Sequence, residues 1–83
     1  MAEPTRLESY PRQLQQMTDA DLAAEAATIC LGCLRSWGDL RDQYRLDVNN
    51  CCLEFEKRGQ RARWDGITEQ ARRIRREELR IKA

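Results

Sequence analysis

Four cysteines are the residues of this 83-residue chain with the most distinctive chemistry. Cys30 and Cys33 form a Cys-x-x-Cys pair, and Cys51 and Cys52 are adjacent. Tetrahedral zinc would need four thiolates converging at about 2.3 Å. If the chain turns near Ser36, Cys33 and Cys51 are separated by roughly 15 Å along an antiparallel helix pair. Adjacent helical residues also point about 100° apart. The spacing therefore predicts no metal site.

Two other roles are open for these cysteines. A thioredoxin-like thiol lies at the start of a helix, where the helix dipole lowers its pKa, whereas Cys30 falls deep inside a helical pattern. A disulfide or redox switch remains an alternative, although the N-terminal residues show no export signal and cytosolic thiols are mostly reduced. We expect the cysteines to act mainly as small apolar core residues.

Arginines near the C-terminus are the second set of chemically distinctive residues. Residues 57–83 carry ten basic and four acidic residues, whereas residues 1–56 carry five basic and ten acidic ones. On a helical wheel, one side opposite an isoleucine-rich stripe holds Arg72, Arg73, Arg76 and Arg80. Arginine contacts phosphate and carboxylate groups in bidentate fashion. This face could bind nucleic acid or an acidic protein surface, or it could pair with acids within the molecule.

Enzymatic chemistry has little support in the sequence. The chain has no histidine, and its four glycines form no phosphate-binding loop. A helical hairpin of this size offers little room for a substrate pocket. We therefore expect a protein without enzymatic activity and without a cofactor.

The hydrophobic pattern predicts an all-α domain, because no alternating strand pattern occurs between turn signals. Thr18 and Asp21 resemble a capping box, and Ser36 and Asp39 repeat that spacing. Gly59 is a suitable helix stop. Three main helices are predicted over residues 18–35, 37–58 and 65–82, forming a small three-helix bundle built on an antiparallel helical hairpin.

The N-terminal residues 1–10 are expected to be flexible, and residues 11–83 to form a single domain. A short extra helix is predicted from Pro11 to Met17, because proline suits the first turn of a helix and interrupts a longer one. No apolar run approaches the roughly 18 residues of a membrane span. With no export signal, the expected location is cytoplasmic, without a membrane partner.

These features favour a binding protein over an enzyme. The first hypothesis is a protein–protein interaction role, as an adaptor, inhibitor or regulatory subunit. Large aromatic and aliphatic side chains are frequent interface anchors. The candidate anchors are Trp37, Leu40, Tyr44, Trp64, Ile67 and Ile74. The alternative is a nucleic-acid-binding accessory protein that uses the four C-terminal arginines, and homodimerisation is left open.

Overall fold

The computed structural model describes the backbone of residues 6–82 and the side chains of residues 9–81, and all its regular elements are α-helices. The helices are α1 (Arg6–Gln16), α2 (Asp19–Arg35), α3 (Gly38–Lys57) and α4 (Arg61–Lys82). The all-α prediction is confirmed over this range. Of the ten residues expected to be flexible, the first five lie outside the described residues, and the other five belong to α1.

Helix α1 begins five residues before its predicted start and continues through Pro11. The prediction that Pro11 interrupts the helix is therefore wrong. Tyr10 and Leu14 are both buried in the core, and only a continuous helix places residues four apart on one face. Burying these two side chains contributes roughly 2 kcal/mol each, which offsets the roughly 3 kcal/mol cost of an internal proline.

The start of α2 follows the capping pattern seen in the sequence, but the start of α3 does not. Thr18 Oγ1 accepts a hydrogen bond from the Asp21 amide at 3.1 Å. Ser36, predicted to cap α3, instead ends α2, where its amide donates to the Cys33 carbonyl. Gly38 adopts a φ of +65°, which turns the chain sharply into α3 without a side-chain cap.

Gly59 ends α3 as predicted, with a φ of +71°. The Gln60 amide donates to the Phe55 carbonyl at 2.8 Å and the Gly59 amide to the Glu56 carbonyl at 3.0 Å, which together form a Schellman motif. This tight turn lets α4 start at Arg61, four residues before the predicted start at residue 65.

Helix α2 lies between α3 and α4 and packs against both, while α1 packs on α3. The start of α2 meets the start of α4, where Gln60 Nε2 donates to Asp19 Oδ2 at 3.0 Å. The end of α2 meets the last turns of α4 through the ion pair of Arg35 with Glu78. Helices α2 and α4 are therefore parallel, and α3 runs antiparallel to both. The core consists of Tyr10, Leu14, Leu22, Ala26, Cys30, Cys51, Phe55, Trp64 and Ala71.

Arg58 joins three helices at one point. Its guanidinium donates to Glu54 on its own helix at 2.9 Å and to Asp19 at the start of α2 at 2.8 Å. The same group donates to the carbonyls of Leu14 and Met17 at the end of α1, both at 2.9 Å. The last turn of a helix leaves its carbonyls without intrahelical partners, and here Leu14 accepts one further hydrogen bond, from the Met17 amide at 3.2 Å.

The charge network around Arg58 also involves the pKa of Asp19. Hydrogen bonds from Gln60 and Arg58 hold the pKa of the Asp19 carboxyl below its ordinary value. A carboxylate with a lowered folded-state pKa stabilises the fold above its unfolded pKa, and this stability is lost as the pH falls through the folded value. Acidification is therefore expected to loosen the junction of α1, α2 and α3.

Replacing Arg58 should destabilise the fold far more than replacing an exposed arginine. In Arg58→Ala, buried Glu54 loses its counter-ion and the α1 carbonyls lose their donor, so that we expect a loss of at least about 2 kcal/mol. Arg58→Lys should lie in between, because lysine keeps the charge but not the planar fork. Arg12→Ala, on exposed α1 surface, is the control. Equal urea midpoints for Arg58→Ala and Arg12→Ala would contradict this role.

Two glycines in helix interiors should respond oppositely to alanine. A β-carbon at Gly32 would lie 2.7 Å from the Tyr44 ring, whereas one at Gly66 would meet nothing within 4 Å. Gly66→Ala should raise the free energy of unfolding by about 1 kcal/mol through helix propensity. Gly32→Ala should lower it by about 1 kcal/mol, because the clash exceeds that gain. In a Tyr44→Ala background the Gly32→Ala penalty should disappear, and additive effects of the two changes would refute the contact.

Candidate functional site

Two contacts fix the register of the antiparallel helices α2 and α3. The Tyr44 ring lies directly on the backbone of Gly32, with no space for a β-carbon between them. Further along, the Tyr10 hydroxyl donates to Glu25 Oε1 at 2.7 Å and lies 3.8 Å from Cys51 Sγ, so that Glu25 and Cys51 are level. Both contacts agree with a single register.

This register leaves the first turn of α3 without a neighbour on α2. It places Arg35, the last residue of α2, level with Arg41 rather than with Gly38. The last turn of α4 also extends beyond α2, because Arg35 pairs with Glu78 and α4 continues to Lys82. Helix α2 is thus one turn shorter than both of its neighbours at this end of the molecule.

Three large apolar side chains lie on these two overhanging turns. We call the surface that they form the open end. Trp37 is 86% exposed, Ile81 is 77% exposed and Leu40 is 54% exposed. Single exposed apolar residues are common on proteins and need no explanation. Here three lie at one end, and two of them are the most exposed large apolar residues described. Such a cluster marks a surface suited to contact with another molecule.

A second apolar surface is the groove between α2 and α4, on the side away from α3. Its volume is about 530 Å³. It is lined by Ala27, Thr28, Leu31, Arg63, Gly66, Ile67, Gln70, Ala71 and Ile74. None of these residues is acidic, and Arg63 is the charged one. We call this surface the α2/α4 groove.

The six anchors predicted from the sequence divide among three environments. Trp37 and Leu40 belong to the open end, and Ile67 and Ile74 line the α2/α4 groove. Tyr44 is half-buried on Gly32.

Trp64, the sixth anchor, is buried, with its ring 5.7 Å from the Phe55 ring, and it contributes to the core rather than to an exposed surface. The sequence pattern does not show that Trp64 is buried while Ile74 is exposed. Both residues belong to one apolar stripe at helical spacing, and this stripe continues from the buried turns of α4 to the exposed ones.

Other residues of these surfaces were missed by the sequence reasoning. Ile81 is not among the predicted anchors, because the early end of α2 leaves no trace in the spacing of apolar residues. Leu31 and Gly66 are not among them either, since glycine carries no apolar signal. The helical spacing of Leu31 after Ala27 and Thr28 was the available sign of a second, smaller apolar face on α2.

The cysteines lie between α2, α3 and α4. Cys30 and Cys51 are buried in the core, and burial raises the pKa of Cys30 to about 11 and that of Cys51 to about 12. Their interpretation as core residues is confirmed. Cys33 and Cys52 are half-buried, and all four thiols are free. Within the described residues, no group of three or more cysteine or acidic side chains is placed to hold a metal ion.

The four arginines of the predicted nucleic-acid face are all exposed on α4. Three of them share one carboxylate, since Arg72, Arg73 and Arg76 lie 3.9, 3.6 and 3.4 Å from Glu69. Arg80 lies 4.0 Å from Glu77. The face is therefore partly neutralised within α4 and keeps an excess of positive charge.

None of the helices over residues 6–82 combines the length and the apolar character needed to cross a membrane. Comparison with protein-family models, with curated proteins and with solved structures finds no match to this chain. The chemistry of the described surfaces is the remaining guide to function, and the open end, the α2/α4 groove and the arginine face each have a distinct character.

Proposed function

We propose that this protein acts by binding another protein, as an adaptor, inhibitor or regulatory subunit, and that the open end is its main contact surface. The observation that carries the proposal is the exposure of Trp37, Leu40 and Ile81 together on the two overhanging turns. Tryptophan is strongly enriched among residues that dominate binding energy at protein interfaces.

The energy available at the open end is large for so small a protein. A buried aromatic side chain removes roughly 150–250 Å² from water, and apolar burial contributes roughly 25 cal/mol per Å². Covering Trp37 alone would thus supply several kcal/mol before the entropic cost of association. Exposed Asp39, Arg41 and Asp42 lie on the adjoining turn of α3 and would form a polar rim.

A catalytic role has weaker support than a binding role. The buried Cys30 and Cys51 thiols have raised pKa values, which keep them protonated at neutral pH and poor as nucleophiles. The chain has no histidine that could act as a base beside Cys33 or Cys52.

The test is affinity capture of the tagged protein from a lysate of its host, with nuclease-treated and untreated halves. A partner protein should be retained in stoichiometric amount after nuclease treatment. With Trp37→Glu the amount of captured partner should fall by at least about tenfold, because the interface would bury an unpaired charge. Leu46→Glu is the control, since Leu46 lies on α3 outside the open end and is about as exposed as Leu40. Unchanged capture by Trp37→Glu would refute the open end as the contact surface.

A second candidate function is binding to a nucleic-acid backbone by Arg72, Arg73, Arg76 and Arg80. The favouring observation is that three of these exposed arginines share the single carboxylate of Glu69. Phosphate oxygens would relieve the repulsion between neighbouring guanidinium groups by bidentate contact.

Salt dependence separates the two candidates. Backbone binding with six or more phosphate contacts should weaken by orders of magnitude between about 50 and 200 mM salt, and an apolar interface should weaken far less. Replacing the four arginines with glutamine should abolish binding to a fluorescent duplex and leave protein capture intact. Nucleic-acid binding that survives this replacement would eliminate the arginine face as its cause.

A further inference from the structure

We infer that the α2/α4 groove binds one amphipathic helix of a partner protein, with acidic side chains placed against Arg63. This inference rests on the proposed protein-binding function and names the chemical class of the partner. It concerns a surface separate from the open end, so that each can be tested by itself.

The two faces of the α2/α4 pair are covered unequally. On one face, α3 packs chiefly on α2 and to a lesser extent on α4, and Cys30 is buried in the core on this side. On the other face lies the α2/α4 groove, which has a volume of about 530 Å³ and apolar walls supplied by Ala27, Leu31, Ile67 and Ile74. A helix lying in this groove would occupy a position equivalent to that of α3 on the opposite face.

The floor of the groove allows a helix to approach closely. A β-carbon on Gly66 would meet no atom within 4 Å, so that there is open space above the α4 backbone at this residue. Ala27 and Ala71 are also small. Small residues between larger apolar ones form a recess into which the ridge of a second helix can fit. Leu31 and Ile74 then contact the inserted side chains, as in other helix-in-groove complexes.

The charge around the groove favours an acidic partner helix over a second copy of this chain. Arg63 lines it and makes no ion pair within 4 Å among the described side chains, and its charge adds to the effect of Gln60 and Arg58 in lowering the pKa of the Asp19 carboxyl. Helix α4 as a whole carries eight basic and four acidic residues. A second copy of this chain that docked through its own α4 would bring like charges together, which disfavours a symmetric dimer at this surface.

Helix α3 shows which kind of helix the α2/α4 pair accepts. It carries five acidic and three basic residues, and its Glu56 pairs with Arg61 across the turn that joins α3 to α4. The helix that covers one face of the pair is therefore acidic. By the same complementarity, the helix that covers the other face should present a carboxylate to Arg63.

The test uses a phage-displayed library of single helices with leucines fixed along one face and the flanking positions randomised. Selection on the full chain should enrich aspartate and glutamate at the flanking positions. On Arg63→Glu the preference should reverse toward lysine and arginine. The best acidic helix should bind Arg63→Glu at least about tenfold more weakly than the original protein, and a lysine-bearing helix should recover the loss.

Two variants block the groove without removing a core contact. Ile74→Glu places a charge on its half-exposed wall, and Gly66→Gln fills its open floor. Both should abolish binding of the selected helices while circular dichroism shows an intact fold. Leu79→Glu is the control, because Leu79 is an exposed apolar residue of α4 outside the groove.

The outcomes separate this inference from the proposed function. An unbiased selection, an unchanged preference with Arg63→Glu, or binding that persists in both groove variants would overturn the inference. In each case, capture of a protein partner that depends on Trp37 would leave the proposed function standing. Loss of that capture together with selection of acidic helices in the groove would instead reject the open end alone.

Discussion

The Arg58 guanidinium holds the molecule together at the point where three helices meet. It donates to the carbonyls of Leu14 and Met17 at the end of α1, and it pairs with Asp19 and buried Glu54. Hydrogen bonds to Glu54 and Asp19 raise the pKa of Arg58, which favours its charged form. Because α1 has only a small apolar surface, this polar anchor sets its position against α3, and the Tyr10 hydroxyl then reaches Glu25.

The exposed surfaces follow from that junction. With the start of α2 fixed beside Arg58 and Gln60, the length of α2 determines where it ends relative to its neighbours. It stops at Arg35, and α3 and α4 extend one turn further. The exposure of Trp37 is thus a consequence of helix lengths and register. Contact with another molecule would remove its side chain from water.

Local signals in the sequence predicted helix ends. Which apolar side chains are exposed depends instead on the register in which the helices pack. The cap at Thr18 and the stop at Gly59 were readable because each depends on a few neighbouring residues. The continuous α1 was not, because burial of Tyr10 and Leu14 outweighs the local cost of Pro11. Burial of Trp64 and exposure of Trp37 depend on which helix ends first, which apolar spacing does not encode.

Small core residues link the packing of the core to the exposure of the proposed binding surfaces. Ala26, Cys30, Cys51 and Ala71 let α2 approach both neighbours closely, beside larger core side chains such as Phe55. A fold held by close backbone packing and by the Arg58 junction can leave Leu40 and Ile74 exposed without losing its core. A core with few large apolar residues gives a small domain only marginal stability, and the proposed contact with a partner would add to it.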